Sequence, residues 1–349
     1  MMTLKDVAAE AGVSLMTVSR AMAGHPDVNA QTRQQVRLVA KQMGYRPNAA
    51  ARMMRSRKTR QIGVLIRNAP DRPMHYPAAY EFILGINEQL ETEDYTLTFI
   101  RINDVLGVQE QTSRIFREHM VDGVIAMDSL PNEVYQRVEA LSPKCIWLET
   151  NIWRPENCIR RDEIHAGRLA SEQLIAMGYR RLIWTGSDQV VATTHYSTIE
   201  RLTGMRQAAE AAGVELEIAP LPAWTRRSQH PGNVRTAPDP SFLRRILRPD
   251  SGIVIESGIA AIHLITAAQS LNLRPGYDFG LAACEVEYAA MISLASISHV
   301  AFNRFDMGKQ AADMMLRRLR EPDAPCPSVK IRGRWHAGST AWGPGGHAV

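Results

Sequence analysis

Residues 4–24 read LKDVAAEAGVSLMTVSRAMAG, and residues 45–59 read YRPNAAARMMRSRKT. In the first stretch Leu4, Val7, Ala8 and Ala11 recur at helical spacing. Thr3 precedes them as an N-cap, with Asp6 placed for a capping box. Gly12 ends that helix and permits a tight turn, Val13 plugs the joint, and Ser14 caps a second helix ending at Gly24. Val18 and Met22 face inward in it, which leaves Leu15, Met16, Thr17, Ser19 and Arg20 on or near the outer face. A third helix, roughly 30–43, is capped by Asn29, turns Val36, Val39, Ala40 and Met43 to the same small core, and stops at Gly44. Helix, glycine-centred turn and helix form the helix-turn-helix pattern.

Such a unit crosses a phosphate backbone with its first helix and lays its second in the major groove. Arg20 then reaches guanine O6 and N7, while Leu15 and Met16 meet thymine methyls or exclude other bases. Thr3, Ser14, Asn29, Thr32 and Tyr45 suit phosphate contacts, which position without specifying. Residues 47–58 favour helix by composition but are too short to hold one alone. They are expected to fold on a charged surface, with Met54 as an apolar wedge for a minor-groove step between Arg52 and Arg55. Charge agrees: residues 1–60 carry 11 Lys/Arg against three acids, while the rest carries 30 against 33. A ligand-free three-helix unit followed by a solvated basic linker is the plainer alternative.

The pattern T-x-x-D-V-A-x-x-A-G-V-S-x-x-T-V-S-R is met by Thr3, Asp6, Val7, Ala8, Ala11, Gly12, Val13, Ser14, Thr17, Val18, Ser19 and Arg20. A second, G-Y-x-P-N-x-x-A-R, is met by Gly44, Tyr45, Pro47, Asn48, Ala51 and Arg52. Together they resemble the headpiece and hinge helix of the LacI/GalR family of repressors. The resemblance implies base reading by Leu15, Met16 and Arg20, and places Asn48, Ala51 and Arg52 in the DNA-contacting hinge. It puts Met54 where the family usually has Leu as its minor-groove lever.

From Gln61 the pattern changes to strands alternating with helices: IGVLI, TLTFIRI, DGVIAM and CIWLET, then a restart after Asp162 with RLIWTG, SGIVIE and FGLAAC. Two such series imply two α/β lobes with parallel sheets and a cleft between them. This resembles the family's core, a pair of periplasmic-binding-protein-like lobes. The expected division is a headpiece at 1–46, a hinge at 47–60, a first lobe of 61–161 with 294–321, a second lobe of 162–293 with 322–340, and a tail at 341–349. The helix at 305–321 resembles the one with which the family returns to its first lobe. A further helix is expected near Arg201–Ala212.

Ligands of such folds bind at the carboxyl ends of strands. Arg67, Asp128, Glu149 and Glu285 fall there, Arg201 opens an R-L-T-G turn into a helix, and Trp224 lies in a loop downstream. Carboxylates accept from sugar hydroxyls, Arg donates in pairs, and Trp stacks on a sugar face. By the resemblance, Arg201, Glu285 and Glu149 occupy effector-contacting positions. Ala78-Ala79 replace the family's aromatic pair, Ser257–His263 lacks its Asp, and Arg67 stands where a small polar residue is usual. Gaining Arg while losing Asp and aromatics favours an anionic effector, a sugar acid or similar carboxylate. Structural salt bridges, for Arg201 across the lobes and for Glu285, are the plainer alternative.

The four cysteines lack metal-ligand spacing, no dinucleotide, P-loop or nucleophile-elbow motif follows a strand, and no run approaches 18 apolar residues. The expectation is therefore a cytoplasmic, non-enzymatic regulator, without cofactor or metal. Its partners are a near-palindromic operator bound as a homodimer and a small-molecule effector; no membrane is involved. The TAWGPGGHAV tail has no heptad pattern for further assembly. A solute-binding protein or an enzyme built on the α/β body is the alternative.

Overall fold

The computed structural model describes residues 2–45, 58–66, 77–101, 114–127, 132–142, 144–189, 194–221, 239–286 and 296–344. It divides into two compact units, residues 1–59 and 60–349. The first holds α1 (Leu4–Ala11), α2 (Leu15–Met22) and α3 (Ala30–Gln42). They close on a core that includes Val7, Ala11, Val18, Ala21, Val36 and Ala40. Ala21 is fully buried, and Met22 packs at the core's margin. These are small side chains, each contributing at most about 1.5–3 kcal/mol by burial, so the turns matter. Thr3 and Asp6 form the reciprocal capping box. Gly12 takes φ +64°, which lets the Val13 amide donate back to the Ala8 carbonyl at 3.2 Å. Arg33 Nη2 donates to the carbonyls of His25 (3.0 Å) and Val28 (2.8 Å), fixing the α2–α3 connection.

The second unit contains two six-stranded sheets. The first lobe's sheet is built from β1 (Gln61–Ile66), β2 (Thr96–Arg101), β3 (Gly123–Met127), β4 (Cys145–Leu148), β5 (Cys158–Arg161) and β11 (Val329–Ile331), in the order β11-β5-β4-β3-β1-β2. The helices α4 (Pro77–Glu91), α5 (Arg114–Arg117), α6 (Asn132–Leu141) and α11 (Arg304–Arg320) accompany it. Ile62, Val64 and Ile146 pack on one face with α4 and α11, and Leu65, Val124 and Trp147 on the other with α6. The second lobe's sheet is built from β6 (Arg181–Trp184), β7 (Glu215–Ile218), β8 (Ser251–Ile255), β9 (Gly280–Ala283), β10 (Ser298–Ala301) and β12 (Arg334–His336), in the order β12-β10-β9-β8-β6-β7. It carries α7 (Glu163–Ala176), α8 (Tyr196–Ala212), α9 (Pro240–Ile246) and α10 (Gly258–Gln269). Among the described residues the strand pairs are parallel except β10 with β12.

Three features depart from the sequence expectation. Strand β5 lies within CIRR, whose two arginines mask a buried strand. Strand β10 belongs to the second sheet although 294–321 was expected in the first lobe, and β11 belongs to the first sheet although 322–340 was expected in the second. The chain therefore crosses between lobes after β5, after β10 and again after β11. Helix α8 begins at Tyr196, so Arg201 lies in its second turn rather than at its opening.

Candidate nucleic-acid interface and ligand cleft

In the first unit the caps place the outer face of α2. Ser14 Oγ accepts from the Thr17 amide at 3.1 Å and lies 2.9 Å from Thr17 Oγ1. Asn29 Oδ1 accepts from the Thr32 amide at 2.8 Å. Thr3, Ser14 and Asn29 thus serve as caps at three exposed helix starts, where amides also point outward. The Asp6 carboxyl is held below its ordinary range chiefly by the Thr3 amide. Leu15 is 44 % exposed and Met16 63 % exposed, and among the described residues neither packs against the unit's core. Arg20 beside them makes one surface pair, to Asp27 at 3.6 Å. Two apolar side chains and an almost unengaged guanidinium share one exposed helix face. Ser19 is half-buried, and Tyr45 packs at the edge of the core, its amide bonded to the Ala40 carbonyl. Asn48, Ala51, Arg52, Met54 and Arg55 lie outside the described residues.

In the second unit, Glu149, Arg201 and Glu285 come together at the carboxyl ends of the strands; Arg67, Asp128 and Trp224 lie outside the described residues. Glu149 follows β4, Arg161 ends β5, Glu285 follows β9 and Arg304 follows β10. Arg161 is the hub: its Nε is 2.6 Å from Glu149 Oε2, its Nη2 is 3.1 Å from Glu163 Oε1, and its Nη1 pairs with Glu285. Arg201 grips Glu163 through Nε and Nη2, both at 2.7 Å, and gives its Nη1 to the Glu256 carbonyl at 2.7 Å. Glu285 is also reached by Arg201 at 3.3 Å and Arg304 at 2.6 Å. Glu163 is fully buried and Arg201 is 2 % exposed.

Burial by itself raises the Glu285 carboxyl, but Arg161, Arg201 and Arg304 outweigh it and hold that carboxyl well below its usual range. Burial likewise raises Glu149, and Arg161, His195 and the Tyr196 hydroxyl bring it below. Tyr196 Oη donates to Glu149 Oε1 at 2.8 Å; burial and that carboxylate push the phenol well above its ordinary value. Glu149 sits at φ +57°, in the left-handed region that is costly for a non-glycine residue.

Two glycines make this geometry possible. A Cβ on Gly204 would lie 2.0 Å from the Ile164 carbonyl oxygen, and one on Gly167 2.0 Å from the Arg201 carbonyl oxygen. Only glycines let α7 and α8 cross closely enough for Arg201 to lie along Glu163. Sequence reading therefore found three members and missed Arg161, Glu163, Tyr196 and Arg304. The run RRDE at 160–163, four charges at a strand-to-helix junction, was the available signal.

Three family models match in succession: bacterial regulatory proteins of the lacI family over residues 3–48, the periplasmic binding protein and sugar binding domain of the LacI family over 59–230, and a periplasmic binding protein-like domain over 171–341. The HTH-type transcriptional regulator RegA of Clostridium saccharobutylicum is 27 % identical over 94 % of this chain and 96 % of its own length. Among solved structures, a lac repressor dimer bound to operator and the anti-inducer ONPF superposes with TM-score 0.71 at 17 % identity, covering 97 % of this chain and 98 % of that one. A CelR–cellobiose complex superposes with TM-score 0.61 at 19 % identity, covering 98 % and 100 %. The chain belongs to the LacI family of DNA-binding transcriptional regulators, which are not enzymes, and its 60–349 unit is the periplasmic-binding-protein-like, sugar-effector type of core.

Proposed function

We propose that this regulator is a cytoplasmic repressor that binds a near-palindromic operator as a homodimer and is governed by a sugar acid or similar small carboxylate in its interlobe cleft. The observation that carries the DNA reading is the exposed Leu15, Met16 and Arg20 face of α2, which the fold does not use. Paired headpieces would read two half-sites, with Met54 of each hinge wedging the central step and Asn48, Ala51, Arg52 and Arg55 on the backbone. Thr3, Ser14, Thr17, Ser19, Asn29, Thr32 and Tyr45 would hold the register through phosphates.

The cations of the cleft, each now paired with a glutamate, are the groups an anionic effector would compete for. Arg160, Arg161, Arg304 and Lys330 all face it or its margin from the first lobe. A ligand carboxylate could take the place that Glu285 holds against Arg161 and Arg304, with Arg201 and Glu149 meeting hydroxyls and Arg67, Asp128 and Trp224 completing the pocket. Effector then acts through its unequal affinity for the two core states.

Two experiments test this. A gel shift against palindromes upstream of the protein's own gene should show a discrete complex that weakens steeply with salt; no shift at low salt contradicts the DNA reading. Calorimetric titration should show sugar acids binding more tightly than their neutral parents; tight binding by a neutral sugar alone contradicts the effector class.

A further inference from the structure

The ion pairs of the cleft sort by lobe. From the first lobe, Arg161 at the end of β5 and Arg304 at the start of α11 both reach Glu285 of the second, while Glu163, two residues beyond Arg161 at the crossing itself, pairs with it locally. A second set repeats the polarity at the cleft's margin. Glu200 on α8 lies 3.9 Å from Arg160 Nη1 on β5 and 3.7 Å from Lys330 Nζ on β11. In the pairs that span the seam, the cation thus comes from the first lobe and the anion from the second in both sets. Uncharged contacts bridge the same seam: Asn151 Nδ2 donates to the Thr194 carbonyl, and Asn151 Oδ1 accepts from the Tyr196 amide, each at 2.9 Å.

Separating the lobes would leave Arg161 with Glu149 and return Arg304 to Glu81 at 3.8 Å, while Glu285 kept only Arg201 at 3.3 Å. We propose that these pairs form a built-in clamp that holds the lobes of the effector-free core together, with Arg161 standing between the carboxylates as an internal counter-ion. Closure then requires no ligand, and what any effector must change is the set of partners of Arg161. The Arg160 guanidinium, stacked 4.2 Å over the Tyr196 ring, fixes the marginal pair in register with the central one.

The test is a distance measurement on the full-length protein, purified without ligand. Spin labels on Gln136→Cys in α6 and Gln269→Cys in α10, both at exposed positions, report lobe separation by pulsed electron resonance. Excess unlabelled protein keeps pairs within one chain. The clamp predicts one narrow population, with an open form below about 10 %. Glu285→Gln should raise the open form to the majority, and Glu200→Gln should raise it less. If Glu285→Gln does not fold by circular dichroism, Arg304→Gln and Glu200→Gln decide. A broad or two-peaked distribution in the unsubstituted protein overturns the proposal, as does an unchanged distance in every variant that folds.

Discussion

The exposed face of α2 and the ion cluster of the cleft break the ordinary rule of burial in opposite directions. Leu15 and Met16 leave apolar surface in water, whereas Arg161, Glu163, Arg201 and Arg304 carry charge into the interior. Both cost stability locally. Their dependence on the rest of the molecule differs. The α2 face stands on a local frame of caps and a glycine turn, so changing it should leave the fold of the unit intact. The cluster is a system of mutual partners drawn from five separate stretches of the chain, so changing one member strands others.

The largest effect that sharpens this contrast is Glu163→Gln, which leaves Arg201 and Arg161 without their shared buried carboxylate. Removing one partner of a buried pair costs about 3–5 kcal/mol. Urea unfolding followed by tryptophan fluorescence reads the core alone, because all six tryptophans lie beyond residue 59. A loss below about 1 kcal/mol, the range of exposed pairs, would break the contrast. Gly204→Ala comes next: the new methyl meets the Ile164 carbonyl, forcing α7 and α8 apart at about 1–3 kcal/mol. That variant should also loosen Arg201 from Glu163, visible as faster exchange of the α8 amides.

Acid gives a smaller, graded effect. Glu149 and Glu285 have carboxyls held below their unfolded value near 4.3. Their contribution is present above that value and is lost as pH falls through it toward the lower folded values. Glu200, raised by burial against the pull of Lys330 and Arg160, has the opposite sign and offsets part of the loss. Core stability should therefore decline as pH falls below about 4.3, with a shallower decline in Glu285→Gln. Equal slopes would remove Glu285 from the account.

The headpiece was legible in the sequence almost to the residue, because every constraint on it is local: Thr3 to Asp6, Gly12, Ser14 to Thr17, Asn29 to Thr32. The alternation of strands and helices gave the two lobes for the same reason. The lobe crossings were not legible, since β10 and β11 are short and their sheet is decided by neighbours far away in the chain. Glu149, Glu285 and Arg201 could be placed near the cleft from strand ends and one motif. Their partners could not, because Arg161 becomes a hub only when residues 149, 163 and 285 converge on it. The plainer alternative, structural ion pairs, describes Glu285, which Arg161 and Arg304 reach from the first lobe; Arg201 pairs with Glu163 and Glu285 inside its own lobe, not across the two.

The central claim is that α2 reads bases while the core only sets when it does so. Fluorescence anisotropy with Arg20→Ala on the operator and on its single-base variants tests it most directly. The account predicts a loss of about 1–3 kcal/mol on the operator with discrimination relaxed at one base pair per half-site, and an unchanged core unfolding curve. A uniform loss across all sequences, or no loss, would contradict it.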